Sequence, residues 1–565
     1  MSIAEVHALL TAPGSPFEVD EAVVRGVPLR VWKAAPPTLR DVLESSRARG
    51  DELFLVYEDE RISFARHAGL VATLARRMVE DLGVRKGDRV AIAMRNFPEW
   101  SVAFWAATAA GGVAVPLNAW WTASELEYAL QDSGSRVLVC DAERHDRLAS
   151  SLGSLGLEAV VVAKPTGPLA AGARAFDDVL GEVDDAAPLP DVPLEPDDDA
   201  TIFYTSGTTG FPKGALGTHR NICGNLVSLA FGQARGALRS GADLAALAGG
   251  GGGQNAYLLS VPFFHATGCH SILVANLAFG GKIVIMYKWD PERALELIER
   301  ERVTTFGGVP SMVWEVLESP SLEKRDISSV KSIGYGGAPA PPELVRRIEA
   351  MFPGRTPSNG YGLTETSSVT TLNSGADYQR HPDSVGVPVP VVDVQVVDEL
   401  GEPLALGETG ELWIRGPNVV KGYWGKPEAT AESFTEGGWF HSGDVARLDE
   451  EGFVYIVDRA KDMVIRGGEN VYCSEVEAAL FEHPAVTDAA VFGVPHHVLG
   501  EEVGAVVRLR AGATASAEDL QAHVRERLAA FKVPAHLWIR DEELPRNPAG
   551  KVLKRTLKDE LIGSR

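Results

Sequence analysis

Cysteine is scarce: four in 565 residues, at Cys140, Cys223, Cys269 and Cys473, with no C-x-x-C pair. This excludes a zinc ribbon or disulfide framework and fits a reducing compartment, so a cytoplasmic location is expected. Positive charge is also in deficit. The 54 Lys and Arg are outnumbered by 77 Asp and Glu, a net charge of −23. So acidic a surface repels phosphate backbones, and nucleic acid is not an expected partner. The N-terminal segment carries acids early and lacks a basic stretch before an apolar run, so no secretory leader is expected. Long apolar runs are missing too. The one charge-free stretch, 100–124, is interrupted by Gly111, Gly112, Pro116 and Asn118. It reads as a buried helix, a turn and a strand, and no transmembrane segment is expected. Internal repeats, Ser-His-Asp sets, paired carboxylates and metal-ligand spacings are absent from the pattern.

What is present is alternation. A chain this long exceeds one compact core, so two or more domains follow. Apolar runs such as DRVAIAM (88–94), RVLVC (136–140), AVVVA (159–163) and KIVIM (282–286) alternate with amphipathic helices, the signature of α/β units. Asp290-Pro291 supplies an N-cap and a first-turn proline for a helix with Leu297 and Ile298 on one face. The segment 338–352 repeats that logic, with Leu344, Ile348 and Met351 expected inward. A Pro/Asp-rich linker occupies 184–200, and 236–254, with five consecutive glycines, is expected to be a mobile loop. From about Val391 the pattern changes to short strands and turns, then a charged segment and a small α/β unit. The expected fold class is α/β. A large multi-layer N-terminal domain of mixed sheets flanked by helices, with a β-rich subdomain, spans 1–457. A hinge lies at 458–461, and a small mobile α/β domain at 462–565.

The stretch YTSGTTGFPKG (204–214) follows the apolar run TIFY. Glycines at 207, 210 and 214 permit close backbone approach, and Thr205, Ser206, Thr208 and Thr209 add hydroxyls, so donors converge on an anion. Lys213 adds one mobile positive charge for a terminal phosphate. The order is not that of a Walker loop, because Gly214 and Ala215 follow Lys213 where Ser or Thr would stand.

Further motifs follow in order: NGYGLTE (359–365), GELWIRGPNVVKGYW (410–424), WFHSGD (439–444), DRAKDMVIRGGENV (458–471) and NPAGKVLKR (547–555). Together they resemble the ANL superfamily of adenylate-forming enzymes, which holds acyl-CoA synthetases, adenylation domains and beetle luciferases, over about 39–555. The resemblance implies two half-reactions. A carboxylate attacks the α-phosphorus of ATP, giving acyl-adenylate and pyrophosphate; a thiol, usually of coenzyme A, then displaces AMP.

The same resemblance implies roles for residues. The 205–213 loop holds the β- and γ-phosphates, Thr364 the α-phosphate, and Glu365 a Mg2+ ion, which favours oxygen ligands. Gly336, Gly337 and Ala338, with Asn359, Gly360, Tyr361 and Gly362, wall an adenine slot. Tyr361 offers its ring for stacking, core packing being the plain alternative. Asp444 accepts both ribose hydroxyls, a bidentate role its two oxygens suit, while Arg459 and Ile456 lie against the nucleotide. Lys551 bridges the acid and the α-phosphate, and its neighbours Lys554 and Arg555 read as solvated surface charges. Lys461 is the hinge about which the small domain turns to bring Gly467, Gly468 and Glu469 to the pantetheine tunnel. Phe531 and Lys532 resemble a patch for the coenzyme A nucleotide, with surface packing as the alternative. His265, in PFFHATG (262–268), packs against the acyl carboxylate or gates the thiol.

The acyl pocket is expected around His270, Val274, Phe306, Gly307, Met312 and Trp314. These are largely apolar and lack an acid to pair with an ammonium, which favours a fatty or aryl acid over an amino acid. ATP, Mg2+ and coenzyme A are the expected cofactors and co-substrates, and a homodimer is left open. Three alternatives stand beside the acyl-CoA synthetase reading. One is a ligase passing the acyl group to an amine or carrier-protein thiol, and another is a luciferase-like oxygenase. The third is a sensor on an inactive scaffold, against which intact Lys213, Glu365, Asp444, Arg459 and Lys551 argue.

Overall fold

Most of the charge-free stretch, 100–117, is buried throughout. It forms a helix at Pro98–Ala109, a turn through Gly111 and a strand at Val113–Leu117. Pro98 occupies the first turn, where its missing N–H has no helical partner to lose. Trp100, Phe104 and Trp105 are fully buried, and burying each contributes roughly 1.5–3 kcal/mol. The helix touches strands at Arg89–Ala93, Val113–Leu117 and Leu53–Tyr57, which belong to two different sheets. Every residue of the helix except Glu99 is buried, so almost no polar face is needed. Among the described residues, no helix is long and apolar enough to cross a membrane.

The computed structural model describes residues 1–205, 212–242, 253–337, 340, 342–459, 462–467, 469–547 and 550–563, and of Thr356 the backbone only. Among these, one sheet has seven strands. Lys213–Thr218 and Asp199–Thr205 pair antiparallel at one edge, and parallel strands at Val113–Leu117, Arg89–Ala93, Val137–Asp141, Ala159–Ala163 and Ala173–Ala175 follow. A second sheet has nine strands, with a parallel centre at Ser332–Gly336, Thr305–Gly308, Ala256–Leu259 and Lys282–Ile285. The strand Val137–Asp141 is buried throughout, as a parallel strand covered on both faces requires. An antiparallel four-stranded sheet spans 393–459, and a five-stranded sheet with its own apolar core forms the C-terminal part.

Local signals account for the helix ends. The Asp290 side chain accepts the Arg293 N–H at 2.7 Å and Pro291 is the first helical residue, so Pro291–Glu301 starts where the sequence places it. Leu297 and Ile298 are buried beneath it.

Three expectations are corrected. The helix His219–Arg239 runs on through 236–239, the start of the glycine-rich segment, because Gly236 lets the Ser374 hydroxyl approach its Cα; 243–252 lie outside the described residues. Met351 is 42% exposed, since the helix Pro342–Met351 ends there and Phe352 takes the inward place. Lys554 is not a solvated surface charge. It opens the helix Lys554–Ile562 half-buried, with Nζ 2.7 Å from Glu477 Oε1.

Among the described residues, several contacts join the C-terminal part to the rest. Glu318, on the helix Pro310–Glu318, accepts from the Arg510 guanidinium and, at 3.0 Å, from the Thr487 hydroxyl. The Trp314 ring lies 4.7 Å from Arg347 and 5.6 Å from Arg510. Gly550, at φ +80°, sits against Val309 so closely that an added Cβ would come within 2.5 Å of it.

Candidate active site

Thr205 pairs with Lys213 across an antiparallel ladder, so two paired strands fix the ends of the segment between them. Ser206, Gly207, Thr208 and Thr209 lie outside the described residues. Beneath this end, Tyr204 donates to Asp132 at 2.9 Å, and Asp132 pairs with Lys426 at 2.5 Å. Lys213 makes no ion pair among the described residues; its ammonium lies 5.0 Å from the centre of the Tyr423 ring.

Thr364 and Glu365 occupy a tight turn, Thr364–Thr366, followed by two serines in left-handed backbone: Ser367 at φ 52° and Ser368 at φ 101°. Non-glycine residues held this way cost of order 1–3 kcal/mol each, and such strain clusters at functional sites. Gly362 is required here, since any Cβ would strike the Ser368 carbonyl. The Glu365 carbonyl accepts Val420 N–H at 2.9 Å, and its Oε1 accepts the Tyr423 hydroxyl at 2.9 Å. Burial raises its carboxyl above the usual carboxylate range. It has no ion pair, and no cluster of three His, Cys, Asp or Glu exists, among the described residues. A buried carboxylate without a cationic partner fits a divalent cation that brings its remaining oxygen ligands with a nucleotide's phosphates.

A cavity of about 1400 Å³ gathers the other end of the site. Gly337, Asn359, Gly360, Tyr361 and Gly362 line it from two adjacent parallel strands and their ends. Asp444, Ile456 and Arg459 line it from the antiparallel sheet, where Asp444 and Arg459 are cross-strand partners. Asp444 is only 2% exposed. It receives the Tyr361 hydroxyl at 2.6 Å and pairs with Arg459 at 3.1 Å. Tyr361 thus anchors Asp444 while its ring packs on the neighbouring apolar cluster. Lys551 lines the same cavity from the C-terminal part. Its backbone N–H bonds Asn547 Oδ1 at 2.9 Å, and Gly550 seats it against Val309. Ala338 lies outside the described residues.

Thr205, Lys213, Thr364, Glu365 and His265 do not line this cavity. His265 is half-buried, its Nε2 has no partner among the described residues, and burial depresses its pKa to about 4. A neutral imidazole results, suited to packing or hydrogen bonding and not to carrying charge at neutral pH. The next residues form a π-helix, Thr267–Val274, a rare element frequent at functional sites. His270 rests on the Ser367 carbonyl at 3.2 Å, and Val274, Phe306, Met312 and Trp314 are buried. Gly307 is pressed against the Gly334 carbonyl by the parallel pairing of their strands.

On the C-terminal side, Lys461 and Gly468 lie outside the described residues. Gly467 adopts φ +60° and Glu469 is exposed on a short strand. Phe531 packs on the small apolar core, Arg555 is exposed, and Lys532 pairs with Glu475 at 2.6 Å while reaching the large cavity. Residues that the motifs leave without a role also matter. Tyr423 touches both Lys213 and Glu365, and Glu318, Trp314 and Arg510 join the two parts of the chain. Tyr423 lies inside a recognised motif, but nothing local marks its contacts; the Glu318–Arg510 pair leaves no local signal at all.

Burial holds several histidines neutral: His67 near pKa 3, and His219, His265 and His270 near 4. Unfolded, each binds a proton below about pH 6.5, so these groups lower stability as pH falls from there towards 4. The Asp458 carboxyl, raised by burial to about 6, acts in the opposite direction over pH 4–6, so differences between variants are the proper readout. Replacing His67, which bonds Ser101 at 2.9 Å, by Gln should flatten the acid slope of stability by up to about 1.4 kcal/mol per pH unit. Unfolding measured from pH 7 to 4.5 checks this, and an unchanged slope would refute it.

The family model for AMP-binding enzymes matches residues 42–424, and that for the AMP-binding enzyme C-terminal domain matches 475–551. A feruloyl-CoA synthase of Amycolatopsis sp is 38% identical over 499 residues, covering 86% of this chain and 94% of that protein. A long-chain-fatty-acid–CoA ligase of Bacillus subtilis is 34% identical over 550 residues, covering 93% and 94%. Among solved structures, ATP-bound MatB from Rhodopseudomonas palustris superposes with TM-score 0.79 at 31% identity, covering 93% of this chain and 100% of that one. The ordered motifs, the two-part architecture and the shared cavity thus agree: the chain belongs to the AMP-binding enzyme family, the adenylate-forming superfamily that includes acyl-CoA synthetases.

Proposed function

We propose that the chain is an ATP-dependent acid–thiol ligase that activates an apolar carboxylic acid, fatty or aryl, as its acyl-adenylate and transfers the acyl group to coenzyme A. The observation that carries this reading is that Lys551 reaches the cavity lined by Asp444 and Arg459. A cation brought by the C-terminal part to a cavity lined by a buried carboxylate and a guanidinium is what adenylation needs and nucleotide storage does not. Asp444 takes the ribose hydroxyls, and Lys213 with the 205–209 segment takes the outer phosphates. The Thr364 hydroxyl and the Lys551 ammonium meet the α-phosphate as the acid attacks it and pyrophosphate leaves. Positioning and charge then supply most of the rate. Bound at Glu365, Mg2+ supplies neutralising charge to the phosphates.

The large unit at 1–457, a hinge at 458–461 with Lys461 as its pivot, and the small unit at 462–565 form the moving parts. The second half-reaction requires Lys551 to leave and the segment around Gly467, Gly468 and Glu469 to replace it. The four cysteines are buried and unpaired, which suits a reducing cytoplasm.

The test is to incubate ATP and Mg2+ with fatty, aryl and amino acids, with and without coenzyme A, and to read AMP and product masses. AMP with an acyl-CoA mass for a fatty or aryl acid is expected. Acyl-adenylate that no coenzyme A discharges, but an amine or carrier protein does, would replace the proposal with an amide or carrier ligase.

A further inference from the structure

We propose that Tyr423 is a positioning residue of the adenylation site, one side chain holding the phosphate lysine Lys213 and the metal carboxylate Glu365 in register. This rests on the reading of those two residues given above.

The Tyr423 hydroxyl is 2.9 Å from Glu365 Oε1, and the face of its ring is 5.0 Å from Lys213 Nζ. The hydroxyl donates and the carboxylate accepts. That fixes the carboxylate's rotation and leaves Oε2 for a cation. The ring's negative face attracts the Lys213 ammonium without neutralising it, leaving its positive charge available to a phosphate.

The ring's place is set by its backbone. Residues 420–424 run beside the strand Lys213–Thr218. Lys421 N donates to Leu216 O at 2.9 Å, Leu216 N to Gly422 O at 2.9 Å, and Trp424 N to Gly214 O at 2.8 Å. Val420 N reaches the Glu365 carbonyl at 2.9 Å. The Thr430 hydroxyl accepts Tyr423 N–H at 2.9 Å, and Phe434 meets the ring edge-on at 5.7 Å. Gly422, at φ +142°, permits this, since any side chain there would collide with Thr430. One short strap is therefore bonded both to the strand that begins at Lys213 and to Glu365 itself.

Tyr423→Phe keeps the ring and removes the hydroxyl, whereas Tyr423→Leu removes both contacts. The full-length proteins are titrated calorimetrically with α,β-methylene-ATP, with and without Mg2+, alongside initial rates against Mg2+ concentration. The wild type should bind the analogue more tightly with Mg2+. Tyr423→Phe should lose about tenfold of that enhancement while keeping its Mg2+-free affinity, and saturating Mg2+ should restore its kcat. Tyr423→Leu should also lose Mg2+-free affinity; should it not fold, Tyr423→Met takes its place. A Phe variant with wild-type enhancement overturns the proposal and leaves the function intact. A wild type that gains nothing from Mg2+ overturns the reading of Glu365 and this proposal together.

Discussion

Replacing Lys551 by alanine should stop acyl-adenylate formation and spare thioester formation from a pre-made acyl-adenylate. The adenylation transition state gathers negative charge on the α-phosphate as the carboxylate approaches. A cation placed there is worth roughly 10³-fold or more in phosphoryl chemistry. The placement is specific in this molecule. Gly550 adopts φ +80° against Val309, Asn547 holds the Lys551 N–H, and the side chain enters the cavity that Asp444 and Arg459 line. Attack of a thiol on the finished adenylate makes no bond to phosphorus, so the lysine has nothing to stabilise in that step. Pyrophosphate release and acyl-CoA formation, assayed separately, decide the matter. Equal loss of both half-reactions would remove Lys551 from its role.

Changes at Asp444 should separate nucleotide binding from stability. The carboxylate is 2% exposed and is held by the Tyr361 hydroxyl and Arg459. Asp444→Ala leaves the buried phenol without an acceptor and Arg459 without a partner, so about 1–3 kcal/mol of stability should go. The side chain of Arg459 is 39% exposed, which keeps the loss below that of a fully buried pair. Asp444→Asn retains an oxygen for Tyr361 and should cost less stability. Both variants lose the charged acceptor proposed for the ribose hydroxyls, and ATP affinity should fall about 10²-fold or more. Calorimetric ATP binding with thermal melts reads the two effects separately. Wild-type affinity in Asp444→Asn would move the ribose elsewhere.

Helix starts and buried strands were legible because their physics is local. Asp290 caps the helix beginning one residue later, and VLVCD is apolar enough to be a strand covered on both faces. The ordered motifs extend this to the chemistry, because adenylation needs a few residue types whose spacing the chain preserves.

Local preference misled where distant packing opposed it. Glycine in a helix costs about 1 kcal/mol relative to alanine, so a glycine-rich stretch reads as a loop. Gly236 nevertheless stays helical because Ser374 packs where a side chain would stand. Met351 carries the inward spacing yet ends its helix in solvent. Lys554 reads as a surface charge until Glu477, 77 positions earlier, is brought to 2.7 Å.

By itself the sequence determined the residue chemistry of this protein: its element types, its motif order and the reaction those motifs serve. Tertiary structure alone decided which charges meet. Tyr423 and Glu365 lie 58 residues apart, and Glu318 and Arg510 lie 192 apart. A hydrogen bond or ion pair acts over a few ångströms and leaves no trace in sequence spacing, so only the folded chain brings those partners together.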